Sequence, residues 1–139
     1  MRRAEIVLVD TSALLALVSS SDRYHTAARE TYDNLLEAGE DLWLTSYVLV
    51  EFGALAQNRL GFRALKAFFD SAGDVFQTVW VDAVMHREAW AEMENRAGRD
   101  LSLVDWTVLL AARRLGASVF TFDSDFFNEG VEVIPGVST

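Results

Sequence analysis

A short, unbroken apolar run at residues 6–9, Ile-Val-Leu-Val, places the strongest constraint on how this chain can fold. A strand with one face in water alternates apolar and polar residues, whereas this run has no polar position. It therefore predicts a strand covered on both faces, as in a parallel sheet between layers of helices. Comparable short runs alternate with longer helical patterns along the chain, which is typical of α/β units. We expect a three-layer α/β/α fold around a central, mostly parallel sheet of about five strands.

The other elements follow from the same alternation. Further strands are predicted over residues 42–44, 75–81, 119–122 and 131–134. Helices are predicted from Thr11 through Leu17, over 23–38 with Asp22 as cap, from Ser46, over 62–72, from Asp82 as cap, and over 102–115 with Gly116 as stop. The apolar residues expected to face the core include Leu36, Val84 and all four tryptophans, Trp43, Trp80, Trp90 and Trp106.

The composition is that of an ordinary globular protein, and we expect one domain over residues 1–139. Cysteine is absent, which excludes disulfides, thiolate zinc sites and thiol nucleophiles and fits a reducing cytoplasm. The longest uncharged stretch, residues 11–21, is too short for a membrane span, since a span takes about 20 apolar residues. We therefore expect a cytoplasmic protein without membrane contact.

The net charge of −9 argues against a domain that reads duplex DNA, because such domains usually present a basic face. That argument weakens if several of the acids are concentrated in one metal pocket, where bound cations neutralise them. The basic residues are partly clustered, at 59–66 and at 113–114. Those clusters could contact a few phosphates, or they could simply be solvated.

Two acids stand directly at the ends of predicted strands. Asp10 follows the run at residues 6–9, and Asp123 follows the run at residues 119–122. In parallel α/β sheets, ligands bind in the crevice beyond the carboxyl ends of the strands, so both carboxylates would reach one crevice if the two strands are close. The alternative is that each acid caps the helix that follows it. For two acids with this placement, the functional interpretation is the stronger one.

Two more acids lie in apolar helical surroundings. Glu51 follows three aliphatic residues and precedes Phe52, and Asp105 lies between Val104 and Trp106. Acids are rarely enclosed unless they are paired or bound to a metal. Asp105 has an alternative role, because its spacing from Ser102 matches a capping box. Glu51 could equally be an exposed residue on its helix.

The four carboxylates of Asp10, Glu51, Asp105 and Asp123 suit one kind of chemistry if they converge. Carboxylate oxygens are hard ligands that select Mg²⁺ or Mn²⁺ over zinc. Without cations, such a cluster forces some of its members to stay protonated. A bound ion removes that cost, lowers the pKa of a bound water and neutralises charge on a phosphodiester. The sequence therefore predicts a nuclease site in which at least three carboxylates lie close enough to share an ion.

No other residue competes well for the role of nucleophile. The two histidines, His25 and His86, are far from the acids in sequence, and we expect His25 to be a packing or surface residue. Ser12 has no evident basic partner, so its expected role is to hydrogen-bond and orient a site carboxylate. Thr121 is a candidate for the same task, although as a strand residue it could serve packing alone.

Taken together, these features resemble the PIN-domain family, and within it the VapC-like toxins of toxin–antitoxin pairs. The resemblance runs nearly end to end and rests on five motifs in order. The motifs are Asp10-Thr11-Ser12, then Asp22 with His25 and Ala28, then Val48-Leu49-Val50-Glu51, then Asp105 with Ala111, Ala112 and Gly116, and last Thr121-Phe122-Asp123-Ser124-Asp125-Phe126. Each motif alone is weak, but five at ordinary spacing are a strong signal.

The resemblance implies a metal-dependent endoribonuclease that leaves a 5′-phosphate and a 3′-hydroxyl. In the closing motif it assigns the site role to Asp123 first, with Asp125 as a helper. It also implies a homodimer and a cognate antitoxin that wraps the protein and occludes the site. An aromatic surface near Phe62, Phe68 and Phe69 supports the dimer, because exposed aromatic patches usually mark interfaces.

Two alternatives to a ribonuclease remain. A phosphotransferase of the haloacid-dehalogenase type also begins with an aspartate after a buried strand. That type needs a second aspartate where this chain has Ser12, and a catalytic lysine, whereas the only lysine here, Lys66, lies in an amphipathic helical pattern. The other alternative is a PIN-like scaffold that binds RNA or a protein without cutting, and the complete set of acids argues against it.

Overall fold

The computed structural model describes residues 3–136 and arranges them as helices around a five-stranded sheet. The strands are β1 (Ile6–Val9), β2 (Asp41–Thr45), β3 (Phe76–Val79), β4 (Ser118–Phe120) and β5 (Val133–Ile134). The helices are α1 (Thr11–Val18), α2 (His25–Glu37), α3 (Ser46–Leu60), α4 (Phe62–Ala72), α5 (Ala83–Asn95) and α6 (Leu103–Leu115), with 3₁₀ turns at Gly73–Val75 and Ser124–Phe126. The strand order is β3-β2-β1-β4-β5, and every pairing is parallel, which confirms the predicted fold class.

Strand β1 occupies the centre of the sheet, between β2 and β4. Leu8 is in register with Trp43 on one side and with Val119 on the other. Val7, Leu8 and Val9 are at most 1% exposed, so the prediction of a strand covered on both faces is confirmed. Within residues 3–136, no helix is long and apolar enough to cross a bilayer.

Strand β4 ends two residues earlier than predicted, because its backbone amides leave the sheet. The Thr121 amide still donates to the Ile134 carbonyl at 3.0 Å. The next amide, of Phe122, donates to the Ser12 hydroxyl at 3.0 Å, and that of Asp123 donates to the Thr121 hydroxyl at 3.0 Å. The predicted strands at 75–81 and 131–134 are also shorter in the structure, at Phe76–Val79 and Val133–Ile134.

Most predicted helix ends are confirmed. Asp82 caps α5 by accepting from the Met85 amide at 2.8 Å, and α6 stops at Gly116, whose φ of 64° lies in the left-handed region that glycine tolerates. Helix α2 begins at His25 rather than at residue 23. The reason is that Asp22 accepts from the Tyr24 amide at 2.8 Å and stabilises a turn before the helix.

Several residues that the sequence placed in the core are exposed. Leu36 is 40% exposed, Val84 53%, Trp90 49% and Trp80 73%, so those predictions are wrong. Trp106 is fully buried, as predicted, and Trp43 is half-buried. The exposure of the helical residues has a geometric reason, because residues four apart share one face of a helix. In α5 that buried face consists of Met85 and Ala89, and the neighbouring Val84 and Trp90 diverge from it.

A buried pair of threonines connects α3 to α6. The Thr107 hydroxyl donates to the Val104 carbonyl at 2.6 Å, so the Thr45 hydroxyl, 2.9 Å away, donates to Thr107. The Thr45 oxygen also accepts from the Val48 amide at 3.3 Å and thereby caps α3. Both threonines are 0% exposed. The pair therefore fixes the first turns of the two helices that carry Glu51 and Asp105.

A second contact holds the segment after β4 against α6. The Arg96 guanidinium makes two hydrogen bonds, of 2.6 and 2.7 Å, to the carboxylate of Glu129. Arg113 donates to the Glu129 carbonyl at 2.9 Å, and both guanidinium groups lie over the ring of buried Trp106, at 5.0 and 5.8 Å. Hydrogen bonding from Arg96 lowers the pKa of Glu129. Together these contacts anchor the segment that follows Asp123.

Replacing Thr107 by valine tests whether the threonine pair stabilises the fold. The change keeps the side-chain shape but leaves the buried Thr45 hydroxyl without its acceptor. We expect the free energy of unfolding to fall by about 1–2 kcal/mol in urea denaturation followed by circular dichroism. The control is Thr31→Val on α2, whose hydroxyl bonds only its own helix, at the Ala27 carbonyl. A control loss as large as that of Thr107→Val would contradict the assignment.

Candidate active site

Asp10 directly follows β1, and it is both the last residue that bonds to β4 and the first residue of the turn into α1. Its amide donates to the Phe120 carbonyl at 3.0 Å, and its carbonyl accepts from the Ala13 and Leu14 amides at 3.1 and 3.2 Å. The residue is 3% exposed. It occupies the N-cap position of α1, yet its side chain makes no capping hydrogen bond. The capping alternative therefore does not explain why a carboxylate is buried here.

Two hydroxyls from distant parts of the chain hold one oxygen of the Asp10 carboxylate. The Ser12 and Thr121 hydroxyls lie 3.1 and 2.9 Å from Asp10 Oδ2. The Ser12 hydroxyl oxygen accepts a hydrogen bond from the Phe122 amide, and the Thr121 hydroxyl oxygen accepts one from the Asp123 amide. Each hydroxyl therefore has its single proton available to donate to Asp10. These are the contacts expected for Ser12 and Thr121. The other carboxylate oxygen, Asp10 Oδ1, is buried and has no hydrogen-bond partner among residues 3–136.

The environment of Asp10 disfavours its charge. Burial, followed by the negative charge of Asp105, raises the pKa of Asp10 from 3.8 to about 7, although the hydrogen bonds from Thr121 and Ser12 act in the opposite direction. Hydroxyls are neutral donors and offset only part of the cost of burying a carboxylate. A cation next to Oδ1 would offset the rest.

Asp105 has two roles at the start of α6. Its Oδ2 accepts from the Ser102 amide at 2.8 Å, and its own amide donates to the Ser102 hydroxyl at 3.1 Å, which completes the capping box. Burial raises the pKa of Asp105, and the charges of Asp123 and Glu51 raise it further. Asp105 is half-buried and not isolated on an exposed face, so the capping role and a site role are compatible.

Glu51 and Asp123 are half-buried, and both lie near enough to Asp105 for their charges to act on it. Asp123 Oδ1 accepts from the Asp125 amide at 2.9 Å and so starts the 3₁₀ turn. Asp125 is exposed, and the neighbouring charge of Asp123, before that of Asp100, raises its pKa. The four acids thus lie near enough to one another for their charges to interact, and Asp125 lies at the edge of this group.

The carboxylates are not close enough to form a ready metal site. Among the described residues, no three acids or histidines lie close enough together to hold an ion. The expectation that at least three carboxylates lie close enough to share an ion is therefore wrong for this arrangement. Asp105 and Asp123 each have one oxygen engaged with a backbone amide, and like charges repel. The donors nevertheless fit a hard cation, because all are carboxylates and Asp10 Oδ1 is buried without a partner.

A cavity of about 400 Å³ adjoins the acids on the α3 side, and its wall includes Glu51, Val104, Tyr47 and His86. The Tyr47 hydroxyl lies 2.5 Å from His86 Nδ1. The two residues are 39 positions apart, and nothing in the sequence pattern signals their contact. His25, in contrast, lies with Nδ1 2.7 Å from the Ala16 carbonyl, as expected of a packing residue.

Solved structures of similar fold give this site its context. VapC20 of Mycobacterium tuberculosis, a toxin described as cleaving the sarcin-ricin loop, is 28% identical with a TM-score of 0.76, over 90% of this chain and 95% of that one. DNA-bound VapBC of Salmonella typhimurium is 17% identical with a TM-score of 0.67, over 94% and 97% of the two chains. PAE2754 of Pyrobaculum aerophilum is 20% identical with a TM-score of 0.66, over 94% and 90%.

No curated protein matches the sequence. The family description of the PIN domain matches residues 7–129, a range that includes all four acids and both hydroxyls that hold Asp10. Both the sequence match and the structural similarity confirm the resemblance seen in the motifs. The chain therefore belongs to the PIN domain family.

Proposed function

We propose that this chain is a single-domain, metal-dependent endoribonuclease that hydrolyses RNA phosphodiester bonds, and that it is the toxin of a type II toxin–antitoxin pair. The observation that carries the proposal is Asp10 Oδ1, a buried carboxylate oxygen without a partner beside other acids. Membership of the PIN domain family supports the nuclease activity. The similarity to VapC20, a toxin that cleaves RNA, supports the choice of RNA as substrate.

In this proposal Asp10, Glu51, Asp105 and Asp123 hold Mg²⁺ or Mn²⁺. When bound, such an ion lowers the pKa of a water molecule and offsets the charge that develops on the phosphate. Ser12 and Thr121 keep Asp10 Oδ2 fixed, which leaves Oδ1 for the ion. The capping box likewise holds one oxygen of Asp105 and leaves the other for the site. Asp125 helps through Asp123, whose carboxylate its amide contacts.

The proposed partners are RNA, a cognate antitoxin that covers the site, and a second copy of the chain. Similar structures include toxin–antitoxin complexes, which supports the antitoxin. Phe68 and Phe69 pack edge-to-face against buried Phe52, so the aromatic surface expected on α4 reduces to Phe62, which is 63% exposed. Five exposed apolar side chains are the candidates for a dimer interface: Val50, Phe62, Trp80, Val84 and Trp90.

Light scattering of the isolated protein tests the dimer. We expect the mass of two chains at micromolar concentration, because a monomer would leave these apolar side chains in water. Trp90→Glu places a charge in the exposed apolar set and should shift the mass toward one chain. Asn34→Glu, which adds the same single negative charge at an exposed position on α2, is the control. A monomeric parent protein would contradict the proposal.

Changing Asp10 to asparagine tests the nuclease activity. The amide keeps the shape of the side chain but is a neutral and poorer ligand for Mg²⁺, so we expect turnover to fall at least about 100-fold. RNA binding should change much less. The measurement is cleavage of a mixed RNA pool in Mn²⁺ and in EDTA. The control is Asp74→Asn, which removes the same charge from the exposed 3₁₀ turn before β3 and should cut like the parent.

Two outcomes of this assay would count against the proposal. Cleavage by Asp10→Asn at close to the parent rate would show that Asp10 is not a ligand. RNA that is bound but left uncut by the parent in Mn²⁺ would favour the non-catalytic scaffold.

Without metal, the Asp10→Asn protein should be more stable than the parent, by an amount that depends on pH. The folded-state pKa of Asp10, about 7, exceeds its ordinary value of 3.8, so the folded state binds more protons than the unfolded state between these values. The unfolding free energy of the parent therefore falls as pH rises from about 4 to about 7. Asp10→Asn removes this loss, which is at most about 4 kcal/mol at pH 8.

Chemical denaturation in EDTA between pH 5 and pH 8 measures the effect. The advantage of Asp10→Asn over the parent should grow with pH, whereas Asp74→Asn should follow the parent throughout. An advantage of equal size at all pH values would show that the Asp10 charge is not its cause.

A further inference from the structure

A second cavity, of about 440 Å³, lies at the edge of the sheet opposite the carboxylates. Its wall includes Ile6, the first residue of β1, and Ser118, the first residue of β4. Asp10 follows the other end of β1, so at about 3.3 Å per strand residue it lies about 13 Å from Ile6. The cavity is therefore separate from the candidate active site, and its volume falls within the range of small-molecule sites, about 300–1,000 Å³.

Two unpaired carboxylates line this cavity. They belong to Glu5 and Glu132, and neither makes an ion pair or a hydrogen bond with another of residues 3–136. The backbones of both residues are held by the sheet, because the Asp41 amide donates to the Glu5 carbonyl at 2.8 Å and the Val119 amide donates to the Glu132 carbonyl at 2.8 Å. The sheet thus fixes where the two residues lie, while their carboxylates stay available to a ligand.

The hydroxyl of Ser118 also lacks a partner. Ser118 is only 9% exposed, and within the described part of the chain its hydroxyl makes no hydrogen bond. It is not one of the fully enclosed side-chain atoms without a partner, so it is open to the cavity that the residue lines. Polar groups in buried residues are normally hydrogen-bonded, so this hydroxyl indicates a place for a polar group of a ligand.

The charge around the cavity favours a cation. Gly116, at the carboxyl end of α6, lines the cavity, and the dipole of the helix places partial negative charge there. Among the described lining residues the only cation is Arg113, whose guanidinium donates to the Glu129 carbonyl at 2.9 Å and lies 5.8 Å over the Trp106 ring. That guanidinium is already engaged, and the two unpaired glutamates outnumber it.

The wall suits an organic cation better than a metal ion. No three acids or histidines among residues 3–136 lie close enough together to hold an ion. A primary ammonium group, in contrast, has three N–H donors, which match two carboxylates and one hydroxyl. Ile6 and Val131 add apolar side chains to the wall, against which an alkyl chain can pack.

We propose that this cavity binds a small primary aliphatic amine. The ammonium group donates to the carboxylates of Glu5 and Glu132 and to the Ser118 hydroxyl. The alkyl chain packs against Ile6 and Val131. The inference does not rest on the proposed nuclease function, because no residue that lines the cavity belongs to the candidate active site.

Titration of the isotope-labelled protein with butylamine, followed by NMR, tests the site. The amide signals of residues that line the cavity should shift together, with a Kd on the order of 1 mM. Glu5→Gln and Glu132→Gln should each weaken binding about fivefold, and Ser118→Ala about threefold. Glu30→Gln, which removes the same charge from an exposed position on α2, is the control and should bind like the parent.

Two related ligands separate the contributions of charge and of hydrogen bonding. Butanol lacks the charge, and butyltrimethylammonium keeps the charge but has no N–H to donate. Both should bind at least about fivefold more weakly than butylamine. Val131→Phe, which fills the apolar part of the cavity and keeps its polar groups, should also weaken binding and covers the case in which Ser118→Ala fails to fold. Asp10→Asn should bind butylamine like the parent, because the carboxylate site lies at the other edge of the sheet.

The proposal is overturned if Glu5→Gln and Glu132→Gln bind butylamine like the parent, or if no amide signal shifts by about 10 mM. A loss of affinity in Glu30→Gln as large as theirs would also overturn it, because the amine would then follow the net charge of −9 rather than this cavity. Shifts that map to Asp10 and Asp123 would assign the amine to the carboxylate site instead. Displacement of butylamine by an equal concentration of Mg²⁺ would assign the two glutamates to a metal ion.

Discussion

The structure depends on how one carboxylate, that of Asp10, is enclosed at the end of the central strand. The hydroxyls of Ser12 and Thr121, from opposite ends of the chain, both contact the same oxygen of this carboxylate. Their oxygens are in turn fixed by the amides of Phe122 and Asp123, which have left the sheet to reach them. The end of β4, the start of α1 and the orientation of Asp10 are therefore one arrangement, and a change in any part displaces the others.

Two of the other acids, Asp105 and Asp123, are held by contacts that also serve the fold. Asp105 caps α6, whose positive N-terminal end favours a negative charge, and Asp123 starts the turn that follows β4. The threonine pair sets the distance between α3 and α6, and Glu129 anchors the segment after Asp123 through Arg96. Because Asp10, Asp105 and Asp123 each have a structural partner, the fold tolerates several mutually repelling charges in one place. The raised pKa values of Asp10 and Asp105 show that these contacts do not fully offset the burial and mutual repulsion of the carboxylates.

The sequence predicted the features that depend on local pattern. The run at residues 6–9 indicated a strand buried on both faces, and the acids that end two strands indicated their common edge. Contacts between distant residues, such as Thr45 with Thr107, leave no periodic signal and were missed. Trp90 was misplaced because a helix rich in apolar residues does not reveal which of them face the core. The pattern around Asp105 was ambiguous because the spacing of a capping box is compatible with a second role in the proposed site.

The strand order has a consequence for how such a protein is made. Asp10 lies at the end of the first strand, whereas its partner Thr121 and the neighbouring Asp123 lie in the last fifth of the sequence. During synthesis the amino-terminal segments emerge first, so β1, β2 and β3 are available well before β4. A nascent chain lacking β4 has no hydroxyl from Thr121 to fix Asp10 and no Asp123. The four carboxylates can therefore assemble only after synthesis has passed Asp123.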